Sequence, residues 1–195
     1  MRLFYSFKLI VYLGLSYGLL LSSSVPEVKI KKELIDKECK RLIKGNGGNL
    51  LVYVKIQKKN GLLKVINKNF PENVETSYNV FRDKSNRIIS VLESPYSESG
   101  DWDVEYVHYF DSDGKTIAFE RRTGFFNSEC TNDAAHEVIC HYYNPAFTEI
   151  SKVYKLTDSK GKTLNKSKCT FNYEFTDYKI YKNSNECLMG YKIKI

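Results

Sequence analysis

No uninterrupted apolar run in the chain reaches the roughly 20 residues that a bilayer-crossing helix needs; the longest covers residues 9–21. Several chemical signatures are missing as well. There is no Gly-x-Ser-x-Gly elbow, no phosphate-binding P-loop and no dinucleotide fingerprint. The glycine-rich stretch GNGG at 45–48 lacks the strand-turn-helix setting that gives such glycines their use. The paired ligand clusters that close a structural zinc site are not found. Basic residues outnumber acidic ones, 30 to 23, for a net charge of +7. They are mostly lysines scattered through turns and outward strand positions rather than gathered into a stripe, so nucleic acid is not an expected partner. No cofactor is implied.

The sequence does carry an address. Arg2 and Lys8 precede the apolar run, and three serines and Pro26 follow it, which is the layout of a secretory signal. Cleavage after Ser24 is expected, leaving residues 25–195, a length suited to one domain. No cysteine follows the serines, which argues against a lipid anchor. The alternative is an uncleaved anchor lengthened by Leu3, Phe4, Tyr5 and Phe7. The expected location is secreted or periplasmic, in the cell envelope, with the membrane met only through this segment.

Three windows match position by position: FRDKSNRII (81–89), YFDSDGKTI (109–117) and LTDSKGKTL (156–164). Each has Asp third, Gly or Asn sixth, a basic residue seventh and Ile or Leu ninth. A looser fourth window, IQKKNGLLK (56–64), carries Asn60-Gly61 at the turn. Gly and Asn tolerate the positive φ of a two-residue type I′ turn, so four hairpin tips are expected. Alternation from Trp102 puts Trp102, Val104, Tyr106, His108 and Phe110 on a core face, and Asp101, Asp103, Glu105, Val107 and Tyr109 on the other. A turn at Asp113-Gly114 pairs Phe110 with Ile117, His108 with Phe119 and Glu105 with Arg122. A four-residue loop would instead oppose Glu105 to Glu120, an unfavourable like-charge pair.

Further strands are expected at 117–122 and 137–143, then at 169–175, at 177–181 and at 187–195. Residues 27–44 read as a helix with Leu34, Ile35, Cys39, Leu42 and Ile43 on one stripe, stopped by the glycines at 45–48. The expected fold is α+β: an N-terminal amphipathic helix packed on a curved antiparallel β-meander over about 49–195. A lysine-rich helix lying on a membrane surface is the alternative.

The Tyr-Phe-Asp-x-x-Gly-Lys phrase resembles the hairpin units of bacterial YD-type and MORN-like repeat proteins and of small exported β-rich proteins. That resemblance covers nine-residue windows and implies an exported β-rich scaffold without catalysis of its own.

Five cysteines in an exported chain suggest disulfides. Cys130–Cys140 would close a loop and Cys169–Cys187 would join the end strands, leaving Cys39 as a buried thiol. Cys130, His136, Cys140 and His141 match no common zinc spacing, and Asp111-Ser112-Asp113-Gly114 lacks the calcium loop's sixth-place Gly and twelfth-place Glu, so no metal is expected. TGFFNSEC (123–130) is the least ordinary stretch. Phe125 and Phe126, with Trp102 and Tyr109, are candidates for an aromatic patch that meets a protein or glycan partner; otherwise the two Phe rings fold into a satellite core. The expected role is an exported, non-catalytic binding or envelope-associated module, with no catalytic residue assigned. The alternatives are a small secreted hydrolase using Asp101, Asp103 and Glu105 or His136 and His141, and an inhibitor or immunity-type protein.

Overall fold

The computed structural model describes residues 24–45, 48–97, 99–171 and 177–195. The signal layout lies almost wholly outside them, as does most of the expected strand at 169–175. The described chain runs from helix α1 (Val25–Lys44) through strands β1 (Leu50–Ile56), β2 (Leu62–Val65), β3 (Val74–Arg82), β4 (Ile88–Pro95), β5 (Trp102–Phe110), β6 (Thr116–Phe125), β7 (Ala135–Tyr143) and β8 (Glu149–Asp158) to a short helix α2 (Ser184–Gly190). The strands form one antiparallel sheet in the order β2-β1-β3-β4-β5-β6-β7-β8. The fold is α+β. From β3 to β8 it is a meander; the first hairpin departs from it because β1 pairs with both β2 and β3, leaving the four-residue β2 at the edge.

The repeated phrase makes a three-residue loop, one residue longer than the expected two-residue turn. In 83–87, 111–115 and 158–162 the first N–H donates to the fifth carbonyl, and the fourth N–H donates to the first carbonyl. The leading Asp carboxylate accepts the N–H groups of the third and fifth residues. The fourth residue is left-handed: φ is 62° at Asn86, 75° at Gly114 and 80° at Gly161. This is a type I turn followed by a left-handed residue, locked by an Asx cap. The invariant Asp of the phrase is therefore structural.

The same loop occurs once more at 144–148, where Asn144 replaces Asp and Phe147 holds the left-handed position with φ 61°. Its ring stacks on Tyr143 with centroids 4.7 Å apart. This loop was not expected, because Phe stands where Gly or Asn signals a turn. Conversely, the two-residue turn expected at Asn60-Gly61 does not form, since β1 ends at Ile56 and Lys55 stands opposite Leu62. The tip at 158–162 leads to no full strand: the returning chain makes one bridge, Thr157 to Thr163.

Across β5 and β6 the expected pairs His108–Phe119 and Glu105–Arg122 are present, whereas Phe110 lies opposite Thr116 and not Ile117. The three-residue loop shifts the register by one, and a bulge between Tyr109 and Phe110 shifts it back.

The end of the chain corrects the expectation most. Residues 177–181 are not a strand, and 187–195 begin inside α2. The alternation of Cys187, Met189, Tyr191 and Ile193 is overruled by a cap: the Asn183 side chain accepts the Glu186 N–H, and its own amide donates to the Glu186 carboxylate. Tyr181, Cys187 and Ile193 are buried with Tyr53, Tyr78, Val80, Val91 and Phe110. Tyr178 and Ile180 lie on Val104, Tyr106 and Phe119. The face expected as core is thus lined by the C-terminal segment. The opposite face is buried too: Val28, Cys39 and Leu42 share a cluster with Phe81, Val107, Tyr109, Ala118 and Cys140.

Candidate functional site

The buried side of α1 is Val28, Lys32, Cys39 and Leu42, with Ile35 half-buried, while Leu34 and Ile43 of the expected stripe are more than half exposed, at 58% and 52%. Between those apolar residues sits a charged cluster. Lys32 Nζ lies 2.7 Å from Asp36 and 2.6 Å from Glu120. Arg122 reaches Glu120 at 2.5 Å and both Glu105 and Asp36 at 3.2 Å. It also donates to the Tyr109 hydroxyl, which itself donates to Asp36 at 2.8 Å. Buried charges persist only when paired in this way. Burial pushes the Asp36 carboxyl up, but Lys32, Tyr109 and Arg122 outweigh it and hold it below the ordinary carboxylate value. Burial likewise acts against charge on Lys32, and Glu120 and Asp36 outweigh it and keep the ammonium above its usual value. Lys32 and Asp36 fall one helical turn apart between Val28 and Cys39, a signal the sequence holds but that reads at first as lysine-rich surface.

Of the three carboxylates in the hydrolase reading, Glu105 is bound by Arg122. Asp101 accepts from Asn127, and Asp103 lies against Gly124, the residue paired with it across the strands. His136 is exposed and His141 buried, five residues apart on one strand and hence on opposite faces. His141 Nδ1 sits 2.6 Å from Glu149. Among the described residues no group of three His, Cys, Asp or Glu is arranged to hold a metal ion, and no helix is long and apolar enough to cross a membrane.

The four aromatic candidates do not converge on one surface. Tyr109 is fully buried under α1, and Phe125 is buried with its ring stacked on Phe171 at 4.4 Å. Trp102, paired across from Phe125, is half-buried, and Phe126 alone is exposed, at 55%. Both disulfide pairings are corrected: Cys130 is bonded to Cys169, while Cys140 and Cys187 are buried free thiols, as is Cys39. The reason is topological, since β7 turns Cys140 under α1 and α2 turns Cys187 into the other layer. Burial pushes the Cys39 and Cys140 thiols up to about 12, so neither is a nucleophile at neutral pH.

A concave surface lies elsewhere, between α1 and the tips of the β3–β4 and β5–β6 hairpins. A hollow of about 300 Å³ has Ile35, Ile89, Phe110 and Ile117 as its floor and Lys31, Leu34, Arg87 and Asp111 at its rim. It continues into a shallower one bordered by Glu38, Lys84 and Ser85. Asx caps from Asp83 and Asp111 fix the turn backbone of the hairpin wall by hydrogen bonds. Burial works against charge on Asp83, but the Arg87 side chain and the N–H groups of Arg87 and Ser85 win and hold its carboxyl below the usual range. An apolar floor with a few polar groups at the rim is the usual make-up of a ligand-recognition surface. The sequence hint for it is Leu34, one of three large apolar residues of α1, with Ile30 and Ile43, that lie outside the buried stripe. Comparison with known protein families, with curated proteins and with solved structures finds no match.

Proposed function

We propose that this chain is an exported binding module that holds a protein partner in the groove along α1 and performs no chemistry itself. In this reading α1 is a fixed cover, packed on the sheet through the Lys32–Glu120 and Arg122–Asp36 pairs, and the C-terminal segment covers the other face. The observation that carries the reading is the groove: exposed Leu34 above Ile35, Ile89 and Ile117, with a charged rim held by capped turns. Export rests on the layout of residues 1–24, and the Cys130–Cys169 disulfide is compatible with an oxidising compartment.

The test is photo-crosslinking in the host that exports the protein, with a photoreactive residue in place of Leu34 and, separately, of Lys160 in the exposed 158–162 tip. One discrete adduct from position 34 and none from position 160 is expected. The same adducts from both positions, or none from either, would remove the groove from consideration.

A further inference from the structure

The two ends of the sheet are unlike each other. The β2 end is four residues long, whereas β8 is a ten-residue edge strand. Among the described residues, its outer side is paired only near its end, where the Leu164 N–H donates to the Leu156 carbonyl at 3.0 Å and Thr157 bridges Thr163. In an antiparallel strand the N–H and C=O of one residue point the same way and alternate along the chain. Since the Leu156 carbonyl faces away from β7, those of Tyr154 and Lys152 do so too, giving a row of donors and acceptors beside exposed Val153 and Tyr154.

We infer that this edge takes up an extended acidic segment of a partner polypeptide as a ninth strand. Charge decides the occupant. Lys152 and Lys155 are exposed and sit on opposite faces of the strand; Lys166 stands 5.1 Å over the Tyr154 ring with its ammonium 3.9 Å from Glu137, so the two strand lysines carry the edge's free positive charge. The one acid at the strand's start, Glu149, is engaged with His141, and the one at its end, Asp158, caps its own turn. Lysines on an edge repel a second copy of the same edge, so self-pairing is disfavoured. A strand bearing carboxylates gains main-chain hydrogen bonds and ion pairs together, which is how strand addition combines affinity with selectivity. This edge is separate from the groove along α1, so either reading stands or falls without the other.

Titration of the whole chain with the capped peptide VTVEEVTV, followed by amide hydrogen exchange, tests the inference. The Lys152 and Tyr154 amides are expected to slow at least tenfold at saturation. The same peptide with Lys for Glu should bind at least tenfold more weakly. Tyr154→Pro removes an outward N–H while sparing the ladder to β7 and should abolish binding. Should that variant misfold, the charge reversal Lys152→Glu with Lys155→Glu should still weaken binding at least tenfold, and Lys59→Glu at the far end should leave it unchanged. Equal binding of the two peptides, no binding of either at millimolar concentration, or protection that rises with protein concentration alone would each overturn the inference, the last by identifying a second copy as the occupant.

Discussion

His108 lies fully buried within the sheet layer, its ring 4.9 Å from that of Phe119, and its Nε2 accepts the Tyr181 N–H. That bond places the ring proton on Nδ1 and ties the C-terminal segment to β5. Burial pulls its pKa from an ordinary 6.5 down to about 3. In the unfolded chain the imidazole takes up a proton below pH 6.5, while in the folded protein it stays neutral until about pH 3. Stability is therefore lost as pH falls through that window, by about 1.4 kcal/mol per unit. Urea denaturation at pH 7 and pH 5 should show this loss in the native sequence. His108→Leu should be less stable at pH 7 by roughly 1–3 kcal/mol, because the Tyr181 N–H loses its acceptor, yet nearly indifferent to pH across the window. Parallel pH profiles for the two proteins would count against His108 as the source.

At the level of the element, the hairpin tips share a backbone and differ in what surrounds them. Gly114 has φ 75°, and a Cβ there would lie 2.8 Å from Ser184 Oγ; Gly161 has φ 80° and open space around it. Gly161→Ala should cost roughly 1–2 kcal/mol, the price of a left-handed residue. Gly114→Ala should cost clearly more and should speed amide exchange in α2, whose first N–H donates to the Gly114 carbonyl. Equal urea midpoints for the two variants would contradict this. The elements themselves were largely legible. The α1 helix and the pairing of β5 with β6 followed from spacing, because period and turn chemistry are local properties. The tip at Phe147 and the α2 helix did not. At Phe147 a ring contact with Tyr143 sustains a backbone conformation that the residue type alone disfavours. At α2 an alternating apolar pattern lost to an Asn183–Glu186 cap that lay in plain view.

For the molecule as a whole, the disulfide and the free thiols give a direct test of the layering. Cys130 and Cys169 are 39 residues apart, so breaking the bond should lower stability by about 4 kcal/mol on loop-entropy grounds. Cys39, Cys140 and Cys187 are buried, Cys39 of α1 and Cys140 of β7 in one cluster and Cys187 of α2 in the other. Alkylation followed by mass spectrometry should find no adduct on the native protein, three on the unfolded but unreduced protein, and five after reduction. Adducts on the native chain would show that one of the covering layers opens. The candidate groove was not legible at this scale, since it arises where Leu34 and Ile35 of α1 meet Ile89 and Ile117 from two hairpins distant in sequence.

Sequence alone determined the hairpin signature, the helical stretch before the sheet, the α+β class and the across-strand placement of Glu105 and Arg122. Each depends on neighbours a few residues away, where φ preference, apolar period and like-charge repulsion act. Only the tertiary structure decided that residues on both faces of the sheet are buried, that Lys32 and Asp36 meet Glu120 and Arg122 in a charged cluster, and that Cys130 bonds to Cys169. Those outcomes depend on which surfaces meet, and burial changes the worth of a charge or a thiol far more than its place in the chain reveals.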